Sequence, residues 1–123
     1  KKLTTKLEKQ FSNYKIENKN INGTLTLGEN IADLGGVTIS LNSYKNSRKK
    51  DANLKHFFYN YARIWRNNIR EEELDKKLQI DPHTPGIWRV NGILPNIDDF
   101  YKTFKIDKFS KLYMNTENRV EIW

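Results

Sequence analysis

At 123 residues the chain is one domain long, and its 37% hydrophobic residues, with three Trp, six Tyr and six Phe, suffice for a small core and exclude a disordered tract. The lack of cysteine excludes a disulfide framework and a thiolate zinc site, and it fits a reducing, cytoplasmic setting better than a surface or exported one. A net charge of +7 raises nucleic acid as a partner, but 22 basic residues interleave with 15 acidic ones, so a solvated basic surface is the better reading.

Leu3, Leu7, Phe11 and Tyr14 recur at helical spacing and predict an amphipathic helix over residues 2–15. A polar connector over 17–25 follows, with the turn signal Asn22-Gly23. Leu27, Ile31, Leu34, Ile39 and Leu41 support a longer helix from 26 to 46, closed by the charged loop 46–51. Phe57, Phe58, Tyr61, Ala62, Ile64 and Trp65 give a wide apolar face and predict a buried helix over 53–68, with His56 a surface residue at its edge. A short charged helix is expected from Glu71 to Leu78. Thr84 then suits the N-cap, and Pro85 the first position, of a short helix over 85–91. Asn91-Gly92 and Pro95 end that helix, residues 97–104 form one more amphipathic stretch, and the tail reads as irregular. No run approaches the roughly 20 apolar residues of a membrane span, and convincing alternating strands are missing.

Two constellations carry chemistry. Glu29 and Asp33 lie one turn apart on a single helix face. One reading is structural: Thr26-x-x-Glu29 matches a capping box, and Asp33 sits favourably in the helix dipole. The other aims one acid at a cation and makes the second its support. Gly35-Gly36 follows them, and glycine inside a helix costs about 1 kcal/mol relative to alanine, so the pair predicts close approach of a neighbouring helix. The second constellation runs from Asp81 to Gly92. His83 precedes a helix N-terminus, where oxyanions are favoured, and Arg89 could fork onto a carbonyl or carboxylate. The plainer readings are a solvated loop histidine and an ion-paired arginine.

The string Asn22-Gly23-Thr24-Leu25-Thr26-Leu27-Gly28-Glu29-Asn30-Ile31-Ala32-Asp33-Leu34-Gly35-Gly36 resembles the third-ligand motif of neprilysin-like zinc metallopeptidases, bacterial oligopeptidases included. The resemblance implies that Glu29 is the third Zn2+ ligand and that Asp33 orients a zinc-binding histidine, completing a His₂Glu site with one position left for water. Asp81-Pro82-His83-Thr84-Pro85-Gly86-Ile87-Trp88-Arg89-Val90 resembles the family's Asp-x-His-[Ser/Thr]-Pro-x-x-x-Arg-Val motif. This implies that His83 steadies the tetrahedral intermediate and that Arg89 binds a substrate backbone carbonyl. Tyr61-Ala62-Arg63-Ile64-Trp65 is similar to the family's Tyr-Ala-x-[Val/Ile]-Trp helix, which implies that Ile64 and Trp65 line the pocket for the residue after the scissile bond. The ending, Tyr113-Met114-Asn115 through Glu121-Ile122-Trp123, resembles the family's C-terminus with Thr116 in place of the usual proline.

The fold so implied is mainly α, the C-terminal helical subdomain of a thermolysin-like (gluzincin) metallopeptidase. His56 and His83 are the only histidines, and His-Glu-x-x-His, which supplies two zinc ligands and the general base, is not present. Residues 1–123 are therefore expected to be the C-terminal portion of a catalytic domain whose missing motif lies upstream, in keeping with a start at Lys1 rather than Met. The parent is expected to be a zinc endopeptidase acting on small peptides. Alone, this piece is expected to be inactive and to hold zinc poorly. Its Gly35-Gly36 face should be partly exposed, or covered by the missing N-terminal part or a second copy. The alternative is a non-catalytic basic helical module that binds nucleic acid or an acidic partner.

Overall fold

The computed structural model describes residues 2–122, so Trp123 of the tail motif lies outside the described residues. The elements are α1 (Lys2–Ser12), β1 (Lys15–Ile16), β2 (Lys19–Asn20), α2 (Leu27–Arg48), α3 (Leu54–Ile64), α4 (Glu71–Ile80), α5 (Gly86–Asn91) and α6 (Asp98–Phe104). Short 3₁₀ turns lie at Lys49–Asp51, Leu94–Asn96 and Thr116–Asn118. The fold is mainly α, as the resemblance implied.

Helix α2 is the central strut. Leu34, Val37 and Leu41 form its buried stripe and meet Leu7 and Phe11 of α1, Phe58 of α3, Ile93, Leu94 and Ile97, Phe100 of α6, and Val120 of the tail in one core. Leu7 and Phe11 of α1 and Leu34 and Leu41 of α2 bury as their spacing requires, whereas Leu3 and Ile39, expected on the same faces, are exposed. Phe58 anchors α3 against Phe100 and Phe104 of α6, with ring centroids 5.6 and 5.9 Å apart. The irregular tail is tied back by the buried Asn96, whose Oδ1 accepts the Val120 N–H at 2.9 Å.

Four local expectations are corrected. Helix α1 ends at Ser12, and a small antiparallel hairpin pairs Lys15 with Asn20 and Ile16 with Lys19. Its turn holds Glu17 and Asn18 at φ of 49° and 65°, the left-handed pair of a primed hairpin turn, here built without the glycine that normally announces it. Helix α3 stops at Ile64 rather than 68, and Ile64 is 70% exposed, so the buried face is narrower than its apolar residues predict. The reason is that Ile64 faces an open groove between α2 and α3 rather than the core. The capping box does not form: Thr26 makes no side-chain cap bond, and its hydroxyl donates to the Asn22 carbonyl instead. Thr84 likewise caps nothing. Pro85 is the N-cap of α5, and Thr84 Oγ1 is drawn to Asn30 of α2.

The glycine pair on α2 divides. Gly35 is buried, whereas Gly36 is exposed and an added Cβ there would meet nothing within 4 Å. The close approach that Gly36 suggests is not made by any described residue. His56 is exposed in the first turn of α3, as expected.

Candidate active site

The site is built from one helix and one loop. Helix α2 presents Glu29 and Asp33 from successive turns. The loop from Asp81 to Pro85 and helix α5 present His83 and Arg89. Gly86 lets this loop pass close to the end of α3, since a Cβ there would lie 2.3 Å from the Trp65 carbonyl oxygen. Glu29, Asp33, His83 and Arg89, distant in sequence, thus meet along one edge.

His83 is oriented by Asp81. Asp81 Oδ1 accepts the His83 backbone N–H at 2.9 Å and lies 2.7 Å from His83 Nδ1. The backbone bond, then the ring contact, hold the Asp81 carboxyl below the usual aspartate range. An ionised carboxylate only accepts, so the proton sits on Nδ1. His83 Nε2 then turns toward Glu29, 3.4 Å from Oε2, with both side chains about half exposed.

The side chain of Arg89 is held by two residues. Its Nε and Nη2 donate to the two oxygens of Asp33 at 2.7 and 2.6 Å. Its guanidinium carbon lies 3.6 Å from the Trp65 ring centroid, a cation–π contact strengthened by burial. The Arg89 side chain is only 14% exposed and Asp33 only 9%. Burial opposes the charge on Arg89, but the Asp33 hydrogen bonds and field outweigh it and raise its pKa. The histidine that Asp33 is expected to orient is not among the described residues; both Asp33 oxygens accept from Arg89, and each retains a further lone pair.

Ile64 and Trp65 face different spaces. Trp65 lines a cavity of about 120 Å³ together with Lys77, Leu78, His83 and Arg89. Ile64 lines an open groove of about 420 Å³ between α2 and α3, beside Gly36, Val37, Tyr44 and Phe57. Three further residues shape the site although the sequence motifs assign them no role in it. Tyr61 Oη donates to the Arg89 carbonyl at 3.0 Å, and burial, then the charge of Asp33, raise its pKa. Asn30 and Thr84 bond to each other beneath Glu29 and His83. Asn30 had a legible signal: with Leu34, Val37 and Leu41 it continues the buried stripe of α2, a polar residue in an apolar register.

The residues present do not amount to a zinc site. Among the described residues no group of three His, Cys, Asp or Glu could hold a metal ion. Asp33 is engaged by Arg89, which leaves Glu29 as a half-exposed carboxylate with His83 beside it. Such a donor set fits one ligand of a site completed by other residues.

Residues 1–120 match the model of peptidase family M13. A neutral endopeptidase of Lactococcus lactis subsp. lactis is 39% identical over 113 residues, covering 92% of this chain and 18% of that protein. Human endothelin-converting enzyme 1 is 34% identical over 134 aligned positions, covering 100% of this chain and 17% of that protein. The zinc metalloprotease Zmp1 of Mycobacterium tuberculosis, solved with an inhibitor, superposes with a TM-score of 0.92 at 31% identity, over 99% of this chain and 21% of that one. The chain thus spans less than a fifth of the length of these curated relatives. It belongs to peptidase family M13, the neprilysin family of zinc metalloendopeptidases.

Proposed function

We propose that the chain is the C-terminal portion of the catalytic domain of an M13 endopeptidase acting on small peptides, and that it does not cleave peptides alone. The observation that carries this reading is the convergence of Glu29 and His83, 3.4 Å apart, beside an Arg89 fixed by Asp33. When bound, zinc would polarise the scissile carbonyl and activate water, with Glu29 as one of its ligands. His83, its Nδ1–H held by Asp81, would donate from Nε2 to an oxyanion when the ring carries both protons. Arg89 uses Nε and Nη2 on Asp33, which leaves Nη1 to grip a substrate backbone carbonyl. Trp65 holds the guanidinium plane and lines the adjoining cavity. Ile64, on the α2–α3 groove, would complete a substrate pocket only with residues from elsewhere in the parent.

In the full-length protein, Glu29→Ala is expected to lose zinc and peptide hydrolysis together. Arg89→Ala should keep zinc and raise KM. Zinc content by atomic absorption and a fluorogenic peptide assay read both, and a Glu29→Ala protein with normal zinc and rate would sink the assignment. The alternative of a basic module for nucleic acid is not favoured. Lys19, Lys45, Arg89 and Arg119 are each paired with an aspartate, and so are not free to neutralise phosphates.

A further inference from the structure

We propose that Asn30 and Thr84 are positioning residues that hold His83 against Glu29, a role that rests on reading those two side chains as parts of a peptidase site. Asn30 is 0% exposed and Thr84 3%. Thr84 Oγ1 donates to Asn30 Oδ1 at 2.7 Å, Asn30 Nδ2 donates to Thr26 Oγ1 at 3.0 Å, and Thr26 Oγ1 donates to the Asn22 carbonyl at 3.0 Å. The direction of this chain is forced. A carbonyl only accepts, so Thr26 spends its one proton on Asn22 and is left to accept from Asn30. The Asn30 amide therefore turns its oxygen to Thr84, and the Thr84 hydroxyl must be the donor.

Each inner partner is the chain neighbour of an outer one: Asn30 follows Glu29, and Thr84 follows His83. The inner bond is buried, where a hydrogen bond is strong and its loss costly. The outer pair, at 3.4 Å and about half exposed, is too long and too wet to fix its own geometry. The buried bond thus sets the exposed one. Arg89 and Asp33 join the same two segments one turn further along α2, so the loop cannot pivot about the Asn30–Thr84 contact. The chemistry of position 30 is also specific. It must accept from Thr84 and donate to Thr26, which an amide does and neither Asp nor Leu can.

The test uses the full-length protein, assayed for peptide hydrolysis, zinc content and urea unfolding. Thr84→Val is expected to lower kcat by about 10-fold or more, with KM and zinc content nearly unchanged, and Thr84→Ser to restore it. Because Thr84→Val also orphans a buried carbonyl, the double variant Asn30→Leu/Thr84→Val removes both partners and separates placement from stability. It is expected to recover the urea midpoint while kcat stays low. Recovery of kcat along with the midpoint, or full kcat in Thr84→Val, overturns the proposal. If the wild-type protein cleaves no peptide, the peptidase reading fails separately. NOEs between the His83 ring and the Glu29 side chain in the 123-residue chain then decide: presence in wild type and Thr84→Ser with loss in the double variant supports the positioning role, and persistence in the double variant refutes it.

Discussion

Arg89 owes its geometry to two residues from different elements. Asp33 supplies a bidentate fork and Trp65 a flat face, so the guanidinium loses most of its water without losing its charge. A pair this well desolvated costs far more to break than a surface ion pair, because the surviving partner stays charged and uncompensated. Asp33→Ala is therefore expected to destabilise the chain by about 3 kcal/mol, read as a lower urea midpoint with an unchanged slope. An unchanged midpoint would mean that water already reaches the pair in solution. Glu29 belongs to the opposite regime. Half exposed and loosely facing His83, it contributes little to folding, which leaves it available for a ligand.

Helix α2 carries its stability on one side and an open glycine on the other. Leu34, Val37 and Leu41 are each at most 3% exposed, while Gly36 faces the unfilled α2–α3 groove beside Tyr44 and Phe57. Since a Cβ at Gly36 meets nothing here, Gly36→Ala is expected to stabilise the isolated chain by about 1 kcal/mol through helix propensity alone. In the full-length protein the same substitution should lower the unfolding midpoint or the activity, if another element closes on this groove as the peptidase reading requires. Parallel urea titrations of both proteins check this. Equal stabilisation in the two would remove the packing argument for the glycine.

On the scale of the whole molecule, one core joins α1, α2, α3, α6 and the tail, and the site residues ride on its edge rather than inside it. Their donor set is incomplete: no described cluster of three metal-binding side chains exists, and one carboxylate is a poor zinc site. The 123-residue chain is accordingly expected to emerge from gel filtration without zinc and to leave a test peptide intact. Stoichiometric zinc retained through the column would show that the site is completed within the chain or by a second copy. The +7 charge is the excess of cations over carboxylates that remains beyond neutral pairs such as Lys45–Asp99 and Arg119–Asp98, and it identifies no partner by itself.

Helix existence and order were legible because apolar spacing is a local code: Leu7 with Phe11, and Leu34 with Leu41, bury where their periodicity puts them. The family was legible too, since the motifs around Glu29, His83 and Arg89 are contiguous strings. What the spacing could not decide was the use of each polar side chain. Thr26 and Thr84 both look like caps, yet both serve a buried network: Asn30 lies one helical turn from Thr26, and Thr84 reaches it only after the loop folds onto α2. The spacing also gave no sign that Arg89, distant in the chain, would donate to both oxygens of Asp33. Sequence alone therefore determined the helices, the family and the candidate residues, for these depend on neighbours along the chain. Only the tertiary structure decided which donor meets which acceptor, because hydrogen-bond partners are chosen by distance in space.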